Sequence, residues 1–292
     1  MVRGPVTYVR LLLAVLLCGT AVAGCAAPGA VDPAGQDVRR AVADWAAGRP
    51  GQLAGIPLAQ RSYEVTSVRR TGAGAVVAAR LRYRLADYDT ASAESARELD
   101  LAGDAGRWRV TADRPAPGAP ALPWDQGPVT VVRGERSLVL GTGQDRALLE
   151  AVAGLADRAV PDAGAAWPGP WAGRVVVLVP RSLDAMAALL GRPAAQYRGL
   201  AAVTTATVGA GAAPADRVVL NPEGWAELSP AGRRIVLTHE VTHVATRAAT
   251  TARTPLWLSE GFADWAAYRT GDRPPAEAAP ALAREVRRGR VP

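Results

Sequence analysis

The chain has 292 residues, 49% of them hydrophobic and 21% charged, which supplies a sizeable core for one or two domains and excludes a disordered chain. Its 30 Gly and 23 Pro follow no period of three, and no apolar stretch beyond residue 25 approaches the roughly 20 residues of a bilayer span, so collagen and polytopic membrane proteins are excluded. The net charge of +7 rests on 34 basic residues, all of them Arg; they are scattered rather than blocked, so no nucleic-acid partner is expected.

Residues 1–24 read as a signal peptide, because Arg3 and Arg10 precede an apolar run and a small-residue cleavage site. The end of that segment, Val22-Ala23-Gly24-Cys25, resembles the lipobox of bacterial lipoproteins. The resemblance implies that Cys25 becomes the lipidated first residue and that the protein is exported and anchored at the outer face of the cell membrane. Cys18 lies within the removed segment, so no disulfide is available. Loss of the two signal arginines takes the charge from +7 to +5. Residues 25–36 then form the lipidated Cys and a tether.

Val38, Ala41, Val42 and Trp45 recur at spacings of three and four, which predicts an amphipathic helix over residues 37–47. Residues 63–68, 75–83 and 107–111 read as strands between Gly-containing turns. One helix and a meander make residues 37–113 a small α+β module, similar in outline to the nuclear-transport-factor-like cone. Five prolines between residues 114 and 128 suit neither a helix nor a central strand, so this stretch is expected to be a linker.

Residues 129–292 form the second expected domain. Strands at 130–133 and 137–140 flank Gly134-Glu135 as a hairpin, and Leu148, Leu149, Val152 and Leu155 place a helix over 144–159. The β-branched run at 174–179, a helix at 182–190 and a short strand at 217–220 complete a mixed α/β pattern. The whole chain is expected to be α+β: a helix-plus-antiparallel-sheet module followed by an α/β domain.

The chemistry concentrates in Leu237-Thr238-His239-Glu240-Val241-Thr242-His243, an H-E-x-x-H sequence holding both histidines of the chain. On a helix the two imidazoles lie on one face, one turn apart, and can hold one divalent metal between them. Glu240 points about 100° away, outside the ligand set but within reach of a water at an open coordination position. Ser229 and Pro230 are suited to start this helix. Chance placement of two histidines and one Glu in this arrangement has odds of about 1 in 4,000. A second helix, capped by Thr254 and Pro255, offers Glu260 as third ligand. Asp264, four residues on, can accept the outer N–H of a ligating imidazole. Two imidazoles and one carboxylate with one position open favour zinc in a catalytic rather than a structural site.

These residues resemble the gluzincin metallopeptidases, and Trp257-Leu258-Ser259-Glu260-Gly261-Phe262-Ala263 is similar to the W-L-N-E-G-F-A segment of the aminopeptidase N family. The resemblance spans residues 218–268. It implies a zincin-like domain with His239, His243 and Glu260 as zinc ligands, Glu240 as general base, and residues 218–221 as the edge strand along which a peptide lies. Sixteen residues separate His243 from Glu260, two fewer than is usual in aminopeptidases, and no G-x-M-E-N motif occurs. The looser peptidase MA-like group is therefore the closer description. Gluzincins continue into a helical subdomain, whereas this chain runs 32 residues past Glu260, which implies a shortened far wall of the cleft. A donor for the tetrahedral oxyanion is also needed, and with no third histidine it falls to a tyrosine or an arginine, Tyr268 and Tyr197 being the tyrosine candidates. The expected activity is zinc-dependent peptide hydrolysis on a peptide or protein substrate. The alternative is a non-catalytic, metal-stabilised lipoprotein that acts as a binding module at the cell envelope.

Overall fold

A computed structural model of the chain describes residues 33–48, 53–72, 74–104, 107–205, 214–269, 275–278 and 280–290. The expected signal peptide, Cys25 and the expected tether up to residue 32 lie outside the described residues. The last part of the expected tether is helical instead, because helix α1 spans Pro33–Ala47 and proline is well suited to a first turn, where its missing N–H costs nothing. Val38 and Val42 of α1 are fully buried.

Four antiparallel strands follow: β1 (Leu58–Thr71), β2 (Gly74–Leu85), β3 (Ala93–Asp104) and β4 (Arg107–Pro115), in that order across one sheet. Alpha1 packs on one face of it, against Val77, Ala79, Leu99 and Leu101. The strand β3 has no counterpart in the sequence reading. Its Ala-Glu-Ser-Ala-Arg-Glu-Leu-Asp composition is poor in β-branched residues. Pairing with β2 over ten residues and with β4 overrides that propensity, and the alternation of buried Ala93, Arg97, Leu99 and Leu101 appears only in that frame.

The proline-rich stretch is not an exposed linker. Arg114 and Pro115 complete β4, and a 3-10 turn at Pro123–Asp125 buries Leu122 and Trp124. Trp124 meets Tyr83 edge to face at 5.2 Å. Both belong to a core that also takes in Leu81 and Leu85 of β2 together with residues of the second sheet, so the two sheets share one apolar interior.

The second sheet has the order β5-β6-β7-β9-β8, built from β5 (Val129–Arg133), β6 (Ser137–Thr142), β7 (Val175–Val179), β8 (Ala202–Thr204) and β9 (Arg217–Leu220). Its three inner strands, β6, β7 and β9, are parallel, and both edge strands are antiparallel to their neighbours. Burial on both faces explains the continuous Val-Val-Val-Leu-Val of β7. One face is covered by α2 (Arg146–Ala166) and α5 (Pro230–Thr246). The other carries α3 (Leu183–Leu190) and the Trp124 segment. Gly141 lets β6 approach α2, since a Cβ there would fall 2.5 Å from the Leu149 side chain. Short α4 (Pro222–Glu227) precedes α5, and α6 (Leu256–Arg269), α7 (Pro275–Ala278) and α8 (Pro280–Arg287) follow it. The implied edge strand at residues 218–221 is corrected here: β9 is an inner strand, and among the described residues the edge is β8, whose three residues the sequence reading left in a loop.

Candidate metal centre

Helix α5 begins as its sequence specifies, with the Ser229 hydroxyl accepting a hydrogen bond from the Gly232 N–H at 3.1 Å. Leu237, Val241 and Ala245 recur every four residues and are buried against the sheet, which turns His239 and His243 to the opposite side of the helix, toward α6. Helix α6 approaches α5 through small residues, since Ala263, Ala266 and Ala267 are its buried positions, and Phe262 rests edge to face on Trp167 at 6.0 Å. Thr254 does not cap α6, because its hydroxyl accepts from the Thr251 N–H at 3.0 Å.

The close approach brings Glu260 to the histidines. His239 Nε2 and His243 Nε2 are 3.0 Å apart, and Glu260 Oε2 is 3.3 Å from the first and 3.5 Å from the second. A tetrahedral ion with bonds of about 2.0–2.1 Å separates its ligand atoms by roughly 3.3 Å. The three atoms therefore form a triangle of the size one such ion fills, and the His239/His243/Glu260 group can in principle hold a metal. Asp264 Oδ1 is 2.9 Å from His239 Nδ1 and can accept the N–H of that nitrogen, so loss of the other ring proton leaves the Nε2 lone pair facing the triangle. The imidazoles are mostly buried, whereas Glu260 is about half exposed at 48%, which leaves the group open to solvent on the α6 side.

Glu240 points to another side of α5 and is 9% exposed. Its carboxylate Oε2 accepts a hydrogen bond from the Thr204 hydroxyl of β8 at 2.6 Å. Sequence reasoning missed Thr204; the only available signal was the β-branched Val203-Thr204-Thr205 run, too short to read as a strand.

The two proposed oxyanion donors are not brought to the group. Tyr197 is partly buried and packs against the core on the sheet face opposite α5. Tyr268 sits eight residues beyond Glu260 on an unbroken α6, about 12 Å along the axis.

Hydrogen bonds from His239 and His243 hold the Glu260 carboxyl well below the usual carboxylate range. Burial pulls His239 down, but the Glu260 hydrogen bond and the charges of Glu240, Asp264 and Glu260 outweigh it and raise its pKa above 6.5. In the metal-free protein the charged His239 stabilises the fold fully below pH 6.5, and that contribution disappears as pH rises through the raised value. Metal binding has the opposite slope, because Nε2 must lose its proton to ligate. Affinity for a divalent metal, measured by chelator competition, is expected to fall by up to about tenfold per pH unit once the pH drops below that titration. An affinity flat from neutral pH down to pH 5 would contradict this assignment of the ligand.

The chain matches no protein-family model, no curated protein and no solved structure.

Proposed function

We propose that this chain hydrolyses peptide bonds with zinc at His239, His243 and Glu260 and with Glu240 as general base, on a lipoprotein anchored through Cys25 at the outer face of the cell membrane. The observation that carries the reading is the ligand-sized triangle of two imidazole nitrogens and one carboxylate oxygen, with the charge of Glu240 close enough to raise the pKa of His239. Two imidazoles and one carboxylate suit a borderline-soft ion and leave a fourth tetrahedral position open. His239, His243 and Glu260 would hold the zinc, which would supply a Lewis acid and ease the ionisation of a nearby water. Glu240 would be the base that takes a proton from the water attacking the carbonyl carbon and would return it to the amine nitrogen as the C–N bond breaks. Asp264 keeps His239 in the ligating tautomer. Beta8 is the terminal strand of its sheet among the described residues, and such an edge accepts an extended peptide through main-chain hydrogen bonds.

The positions of Tyr197 and Tyr268 favour one competing reading, in which no oxyanion donor is needed: a non-catalytic lipoprotein whose metal stabilises a binding surface. Both readings share the metal and the anchor. Protein purified from the membrane fraction is expected to carry about one zinc per chain and an N-terminal Cys25 bearing lipid. Elemental analysis and intact mass read both from one preparation. Zinc undiminished in a His239→Ala, His243→Ala double variant removes the metal assignment, and an unmodified Cys25 removes the anchor.

A further inference from the structure

We infer that Thr204 is a positioning residue for Glu240, fixing which of the two carboxylate oxygens is free to exchange protons; the inference rests on the peptidase reading above. The Thr204 hydroxyl lies 2.6 Å from Glu240 Oε2 and 3.1 Å from the Glu240 carbonyl oxygen. It has a single proton. A hydrogen bond to an ionised carboxylate is shorter and stronger than one to a neutral carbonyl, so the proton goes to Oε2, in accord with the shorter distance.

The hydroxyl is itself firmly placed. Thr204 pairs with Val218 of β9. In the next residue the Thr205 N–H donates to the Arg217 carbonyl at 2.8 Å, and the Thr205 hydroxyl accepts from the Arg217 N–H at 2.8 Å. These bonds lock the register of the strand just past Thr204. A glutamate side chain has three rotatable bonds, and the carboxylate would otherwise be free to turn about the last of them. Tied through Oε2, it keeps one orientation, while Oε1 meets no partner among the described residues.

Oxygen Oε1 then receives the proton of the attacking water and returns it to the leaving amine nitrogen. Oxygen Oε2 accepts the Thr204 hydrogen bond in both states, so the anchor need not break during the cycle. Since β8 is also the edge on which an extended peptide would lie, one strand sets the position of both the substrate and the base. Misalignment of such a group by about an ångström is costly to rate.

The test uses the zinc-loaded protein and a quenched-fluorescent reporter built on a site that the wild type cleaves in a peptide library. Thr204→Val keeps the shape and removes the hydroxyl. It is expected to lower kcat about 10-fold with KM, zinc content and melting temperature close to those of the wild type, and Thr204→Ser is expected to restore most of the loss. An unchanged kcat in Thr204→Val overturns the inference. So does an equal loss in Thr204→Ser, which keeps the hydroxyl and would show that the effect does not come from its hydrogen bond, or a loss of zinc in Thr204→Val, which would make the residue a support of the metal group. Absence of cleavage by the zinc-loaded wild type overturns the peptidase reading and this inference together, whereas the other outcomes leave that reading standing.

Discussion

Glu240→Gln is expected to retain about one zinc per chain while losing at least about 10²-fold in peptide hydrolysis, the lower end of general acid–base effects. Glu240 is outside the ligand triangle, so the metal has no reason to leave. The amide oxygen of the replacement can still accept the hydrogen bond that Thr204 gives to Oε2. What disappears is the ability to accept a proton, because an amide is not a base at any pH the fold tolerates. A digest of a peptide library by the wild type beside this variant reads the effect directly and also reports the cleavage preference. Cleavage by the wild type alone is the expected result. Equal cleavage by both proteins would remove Glu240 from the mechanism, and no cleavage by either, with zinc bound and the chain folded, would transfer support to the binding-module reading.

Arg97→Ala is expected to cost about 3–5 kcal/mol of folding stability, the range for removing one partner of a buried ion pair. The Arg97 side chain is fully buried. Its Nε donates to Asp113 at 2.8 Å, and its two terminal nitrogens grip Asp125 at 2.8 and 2.7 Å. The two carboxylates are 5% and 8% exposed, so truncating the arginine strands both in the interior. Asp125 also accepts from the Leu122 N–H at 2.7 Å, which ties the proline-rich segment to the first sheet. The same substitution made together with Asp113→Asn and Asp125→Asn should recover part of the loss, because neutral amides are less costly to bury than unpaired charges. Urea denaturation of the three proteins measures both effects. A loss below about 1 kcal/mol for the single variant would show that water reaches the carboxylates and replaces the arginine.

What sequence alone determined about this protein was local. The α5 helix was legible from Ser229, Pro230 and its apolar spacing, and the facing of His239 and His243 followed from the helical period. Glu260 and Asp264 were legible because they lie one turn apart on the next helix, where α6 needs only to pack beside α5 to bring them in. The β5–β6 hairpin and the buried strand β7 were legible for a similar reason: a tight turn and a β-branched run each report their state within a few residues.

What only the tertiary structure decided was everything that depends on partners distant in the chain. Strand β3 forms from residues with little strand preference because two neighbours pair with it. The proline-rich segment entered the core because Arg97 and Tyr83 reach it from strands before it in the chain. The order of β8 and β9 decided which strand is the edge, and hence that Thr204, 36 residues before Glu240, touches the carboxylate. Tyr197 went to the far side of the same sheet, since sequence separation carries no information about which face a loop crosses. Helical and hairpin periods fix contacts over a few residues, whereas sheet order and burial are set by the lowest free energy of the whole packed interior, to which each single residue contributes too little to be read alone.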